Sequence, residues 1–289
     1  MPGGGNYFLR EIIAAAGHHP VRIIGSFSPT GSHQHPLFNP VCSFVQHVYA
    51  AAVSGSFSCY DSIIFPNSCD SLKLLYQMWN DQIECPSAWL LRHPVHTDES
   101  AVQYFADQLK IFLDELKARS GADVRGADLH DTITRYNHTR ALLRQVYEIK
   151  KTSGFPAYSQ IIAVVTAGMM MDRSEYHQLL EDFIQQASRP SPQSDKPLKN
   201  IMLIGPLMDN IRILEQIEEM DICIIDDDLT NGTRYIGQDV QTDGDPFENL
   251  ARRYLCSASS PTCFTDSKSD AAVFCRRIEA LRPDGVLFI

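Results

Sequence analysis

The chain has 289 residues, 44% hydrophobic and 21% charged, enough for two compact domains or one large α/β unit with a helical appendage. Its 25 basic and 35 acidic side chains give a formal net charge of −10, which argues against nucleic acid as the main partner, because phosphate backbones demand a basic surface. No apolar run reaches bilayer length and Met1–Gly5 has no secretory pattern, so a cytoplasmic protein without membrane contact is expected.

Glu11 to Gly17 reads as a helix closed by a glycine, and Val21-Arg22-Ile23-Ile24-Gly25 as a short strand. Ser26 to Pro40, rich in Ser, Pro, Gly and His, reads as loop. Ser43–Val53 sets Val45, Val48, Tyr49 and Ala52 on one helical face. Ser62-Ile63-Ile64-Phe65, stopped by Pro66, suits a buried parallel strand. Asp70–Asn80 follows as a helix with Leu72, Leu75, Tyr76 and Trp79 at core spacing, then Trp89-Leu90-Leu91 as a strand. From Glu99 to about Ala187 the chain reads as helical, in segments Ser100–Ser120, Asp128–Lys151, Tyr158–Met171 and Ser174–Ala187. A Ser- and Pro-rich linker separates this block from a second alternation. That alternation has strand Asn200–Gly205, helix Asp209–Met220, strand Ile222–Ile225 running into Asp226-Asp227-Asp228, helices Phe247–Leu255 and Ala271–Leu281, and strand Gly285–Ile289. The expected fold is α/β, with two parallel-sheet Rossmann-like halves around a helical block. The expected boundaries are 1–98, 99–188, a linker at 189–199, and 200–289.

Eight cysteines stand at positions 42, 59, 69, 85, 223, 256, 263 and 275. Without an export signal a disulfide framework is not expected, and no Cys-x-x-Cys marks a zinc ribbon or redox pair. In open parallel sheets ligands sit at the carboxyl ends of strands, and two cysteines stand where that rule puts a site. Cys69 follows a strand in Phe65-Pro66-Asn67-Ser68-Cys69-Asp70 and begins a helix, where the dipole and free N–H groups favour a thiolate. Cys42, in Asn39-Pro40-Val41-Cys42-Ser43, marks a second loop-to-helix junction. The two either hold a soft metal or cluster, or are small buried hydrophobes. Cys223 in a strand and Cys275 on a helix read as core; Cys59, Cys85, Cys256 and Cys263 read as inert packing or exposed thiols.

His33 and His35 precede Cys42 in the loop and could line the same cleft, but no helical His-x-x-x-His pair supports zinc. Asp226-Asp227-Asp228 could bind Mg²⁺, act as a base or cap the next loop, and capping is the favoured reading. Thr230-Asn231-Gly232-Thr233-Arg234 reads as a flexible polar loop with one cation, and matches neither a Walker A sequence nor Gly-x-Gly-x-x-Gly.

The order and wording of several pieces carry a resemblance. Ala14-Ala15-Ala16-Gly17, Pro40-x-Cys42 and Phe65-Pro66-Asn67-Ser68-Cys69-Asp70-Ser71, with Leu75-Tyr76 and Trp79, come first. Ala167-Gly168-Met169, Gly205-Pro206-Leu207-x-Asp209, Asp226-Asp227-x-Leu229-x-x-Gly232-x-Arg234-Tyr235, Leu250-Ala251-x-Arg253-Tyr254-Leu255 and Pro283-Asp284-Gly285-Val286 follow. Together they resemble the 2-hydroxyacyl-CoA dehydratase and benzoyl-CoA reductase family, over nearly the whole chain and in the family's order. The resemblance implies α/β domains with a helical part, and three cysteines holding a 4Fe–4S cluster in a cleft between domains. Carried over residue by residue, Cys42 and Cys69 match the first two ligands. The third family cysteine follows the strand that here is Gly285–Ile289, and the chain stops before it. The family's opening strand is likewise missing or replaced by Met1–Gly5. The expectation is a truncated or divergent member that cannot by itself hold the usual cluster.

The resemblance also implies the chemistry. A separate ATP-hydrolysing iron–sulfur activator passes one electron to a pair of related or identical subunits, and the cluster relays it to an acyl-CoA thioester, permitting elimination or ring reduction. Ser68 and Asp70 are expected to orient the Cys69 loop. Asp209, Asp227 and Arg234 are expected to face the cleft, with Arg234 pairing either with a CoA phosphate or in a surface salt bridge. Two other readings stand beside this one: a cluster-deficient, non-catalytic paralogue or partner subunit, and a double-cubane-cluster, ATP-dependent reductase.

Overall fold

A computed structural model describes residues 9–24, 41–84, 86–94, 96–119, 128–189, 198–208, 210–256 and 268–289. In chain order its elements are α1 (Arg10–Ala15), α2 (Ser43–Val53), β1 (Ser62–Pro66), α3 (Asp70–Gln82) and β2 (Ser87–Leu91). Next come α4 (Glu99–Arg119), α5 (Leu129–Ser153), α6 (Tyr158–Ala167) and α7 (Arg173–Ala187). Then follow β3 (Lys199–Ile204), α8 (Ile211–Glu219), β4 (Ile222–Asp228), α9 (Thr233–Ile236), α10 (Pro246–Cys256), α11 (Lys268–Leu281) and β5 (Gly285–Phe288). The α/β class expected from the alternation is the one observed, with two parallel sheets among the described residues. No helix among them is long and apolar enough to cross a membrane.

The chain divides into two compact units, one formed by Ile23–Val95 and the other by Met1–Arg22 with His96–Ile289. In the smaller unit β1 and β2 pair in parallel with Ser62 opposite Ser87 and Pro66 opposite Leu91. The two helices cover this ribbon because their apolar stripes match it. Val45, Val48 and Tyr49 of α2 and Leu72, Leu75 and Trp79 of α3 enclose Ile63 and Phe65. Trp79 is fully buried, and its ring centroid lies 5.4 Å from that of Phe65 and 5.8 Å from that of Phe57. Its indole N–H donates to the Pro86 carbonyl at 2.9 Å, so the polar end of the largest core side chain is also satisfied.

In the larger unit the sheet runs β4-β3-β5, all parallel. The helical block shares one core with it: Leu143 and Val146 of α5, Ile161 and Val165 of α6, and Tyr176 and Leu180 of α7 pack with Leu203 and Ile224. The β3–β4 pairing slips by one residue between Ile201 and Met202, leaving Ile225 unpaired. Such a bulge re-aims the residues after it, here the acidic run that ends β4.

Three expectations from sequence change. Val21 to Ile24 form no strand, and Gly25 lies outside the described residues. The division between units falls inside the segment, and Arg22 N–H bonds to the Met169 carbonyl rather than to a sheet. The helix expected to reach Met171 stops at Ala167. There the chain passes so close to the Tyr176 ring that a Cβ on Gly168 would sit 2.2 Å from it. Cys275, expected in the core, is exposed on α11, whereas Cys223 is buried as expected.

Candidate functional site

At the carboxyl end of β1 the backbone N–H of Asn67 bonds to the Leu91 carbonyl at 2.9 Å, extending the ladder one step beyond the strands. The next residues are Ser68, buried, and Cys69, half-buried against the aromatic core. Cys69 is the N-cap of α3 and Cys42 the N-cap of α2, both with extended backbone and neither helix capped by a side-chain hydrogen bond. Cys42 is exposed. The carbonyl of each cysteine accepts the first helical bond of its helix, from Gln46 and Lys73, both at 3.2 Å. Asp70 opens α3, is exposed, and accepts from Lys73 Nζ at 3.1 Å. His93, just past β2, is a buried residue that sequence reasoning missed. Its Nδ1 lies 3.1 Å from the Pro94 carbonyl, and burial, with the Lys73 charge, holds its pKa below the usual histidine range. His33, His35 and Cys85 lie outside the described residues.

The acidic run at the end of β4 is densely bonded. Asp227 is fully buried; its Oδ1 accepts from Leu229 N at 2.9 Å and Thr233 N at 2.8 Å, and its Oδ2 from Tyr147 Oη at 2.8 Å. Burial, and then the neighbouring Asp226, push its pKa up, while those donors oppose the shift. Asp228 receives a two-pronged bond from Arg234, Nε at 2.8 Å and Nη2 at 2.6 Å. Arg277 of α11 closes the group, its Nη2 donating to Asp226 Oδ2 at 2.7 Å and to the Asp227 carbonyl at 2.6 Å. The loop expected to be flexible is instead buried from Leu229 to Gly232, with the Asn231 Oδ1 accepting from Met208 N at 2.9 Å. Asp209 lies outside the described residues.

A second charged group in the larger unit has no signal in the sequence. Glu11 of α1 is 1% exposed, and accepts from Arg140 Nη1 at 2.8 Å and Tyr254 Oη at 2.6 Å. Burial alone would raise its pKa, but Arg140, Arg253 and Arg10 outweigh that and hold it at about 2. Charges on amphipathic helices look solvated in sequence, and nothing local distinguishes a buried one.

A parallel α/β protein with cysteines at helix starts and bonded carboxylates at strand ends is the class of molecule these features define. The chain belongs to the 2-hydroxyglutaryl-CoA dehydratase, D-component, family, whose sequence model it matches over residues 6–289. It is similar to the beta subunit of lactoyl-CoA dehydratase from Anaerotignum propionicum, at 27% identity over 89% of this chain and 70% of that protein. It is similar to a benzoyl-CoA reductase subunit from Thauera aromatica, at 24% identity over 98% of this chain and 75% of that protein. The (R)-phenyllactyl-CoA dehydratase beta subunit of Clostridium sporogenes matches at 22% identity, over 98% of this chain and 75% of that protein. The family recognised from the sequence motifs is therefore the right one, and these relatives are enzyme subunits.

Proposed function

We propose that this chain is a subunit of a radical-type 2-hydroxyacyl-CoA dehydratase or benzoyl-CoA reductase-like enzyme, with Cys42 and Cys69 as two ligands of an iron–sulfur cluster. The observation that carries the reading is the joint one. The chain lies within this family almost end to end, and the two cysteines that match its motifs are both helix N-caps in one unit. Thiolates are the donors that soft iron–sulfur clusters take, so the residues fit as part of a ligand set. Among the described residues no group of three or more His, Cys, Asp or Glu gathers for a metal. When bound, the cluster supplies one low-potential electron to the thioester.

The protein's own part is positioning. Ser68 and the exposed Asp70–Lys73 pair flank Cys69 and set the loop that would carry the ligand. The packed aromatic wall of Phe65, Tyr76 and Trp79 lies behind it and excludes water from that side. The partners proposed are an acyl-CoA substrate, a related or identical subunit, and an ATP-dependent iron–sulfur activator, in the cytoplasm.

The test is anaerobic reconstitution with iron and sulfide, followed by iron analysis and EPR spectroscopy of the wild type, Cys42→Ser and Cys69→Ser. Stoichiometric iron in the wild type, reduced by more than half in each variant, is the expected result. Equal iron in all three would remove both cysteines from the site, and a wild type that takes up none would favour the cluster-deficient paralogue.

A further inference from the structure

The cation singled out in sequence for a phosphate, Arg234, is already bound to Asp228. A different arginine is not so matched. Arg173, the first residue of α7, is only 8% exposed. Its Nη2 donates to the Gly168 carbonyl at 3.1 Å, while Nε and Nη1 are buried with no hydrogen-bond partner. Its guanidinium lies over the Tyr136 ring at 4.4 Å and the Tyr176 ring at 5.3 Å. Arg10 lies over the same Tyr136 ring at 5.2 Å and over Tyr235 at 4.3 Å. Arg10 is partly buried.

Arg10, Arg140 and Arg253 act on the buried carboxylate Glu11, which accepts from Arg140 and Tyr254, and Arg140 Nε also lies 3.5 Å from Asp239 Oδ1. Burial, and then the Arg140 charge, pull the Arg253 pKa below its usual range. Burial, His138 and then Arg173 hold His177 down to about 4. A buried charge with unmade hydrogen bonds is costly, and proteins retain one where a ligand completes it. A planar guanidinium with its Nε–H and an Nη1–H left without acceptors can donate to the oxygens of a phosphate. Moreover, pieces of the family-like motifs meet here, namely Gly168, Tyr235, Arg253 and Tyr254.

We infer that Arg173 and Arg10, walled by Tyr136, Tyr176 and Tyr235, form a binding site for a phosphate group. Assigning that phosphate to an acyl-CoA rests on the function proposed above; the anion site itself does not, and its test is independent of iron content.

The experiment measures the thermal midpoint and calorimetric binding of the full chain with inorganic phosphate, CoA, and chloride at matched ionic strength. It compares the wild type with Arg173→Met and Arg10→Gln. The wild type is expected to bind phosphate and CoA in competition, with a raised midpoint that chloride does not reproduce. Arg173→Met is expected to weaken both at least tenfold while its ligand-free midpoint stays level or rises, since an unsatisfied buried cation has been removed. If Arg173→Met does not fold, Arg10→Gln must show the same loss. Binding of phosphate but not CoA would keep the site and remove the acyl-CoA assignment. A wild type that responds no more to phosphate than to chloride, or variants that bind as well as the wild type, would overturn the inference.

Discussion

Glu11 shows what burial does to a single charge. Its carboxylate sits at 1% exposure with its pKa held at about 2 by the arginines around it, against 4.5 for an ordinary glutamate. A group whose folded pKa lies below its unfolded value contributes stability above the unfolded value and loses it as pH falls through the folded one. The Glu11 contribution is thus complete above pH 4.5 and drains away towards about pH 2, a loss on the order of 3 kcal/mol. Urea midpoints across that range are expected to fall more steeply for the wild type than for Glu11→Gln. The variant itself should be less stable at neutral pH by about 3–5 kcal/mol, because Arg140 is left buried without its partner. Parallel pH profiles for the two proteins would show that Glu11 carries no such linkage. Glu11 was legible in sequence only as one acid on a helix, since its partners lie 129 and 243 positions away.

Elements differ in how far local sequence dictates them. Apolar spacing was enough to place α2, α3 and β1, and the capping role of the acidic run was readable from its position at a strand end. The loop after β4 was not, because its order comes from contacts distant in sequence: Asp227 caps it from within, Tyr147 and Arg277 from α5 and α11. Gly232 belongs to that design. A Cβ there would sit 2.0 Å from Asp227 Oδ1, at the point where the chain folds back over the carboxylate. Gly232→Ala is expected to destabilise the larger unit by about 1–3 kcal/mol through overpacking, read as a lower denaturation midpoint. An unchanged midpoint would mean that the loop yields without cost. Similarly, the Tyr176 ring lies against Gly168 at the end of α6, a contact from the next helix that periodicity alone cannot report.

At the scale of the whole molecule, each unit has its own core, and damage to one can be separated from damage to the other. Trp79 anchors the smaller core between Phe57 and Phe65 and bonds to Pro86. Trp79→Ala is expected to cost about 3–5 kcal/mol. Hydrogen exchange should accelerate across Ile23–Val95, while α5, α6 and β3 in the larger unit keep wild-type protection. Equal acceleration in both units would show that they unfold as one. Because Cys42 and Cys69 are both in the smaller unit, the same variant is also expected to lose any iron bound through them.

By itself the sequence determined the α/β class, most of the helices and strands, the family, and the two cysteines at helix starts. Those features are written in local signals: apolar period, helix-start residues, and motif words read in order. Only the tertiary structure decided which charges are buried, which arginine is paired and which is not, and where the chain divides into units. Pairing depends on distances between residues far apart in the chain. Thus Arg234, the cation that stood out in sequence, is tied to Asp228, whereas Arg173, just ahead of the helix expected from Ser174, drew no notice in sequence and is buried with two donors unmade.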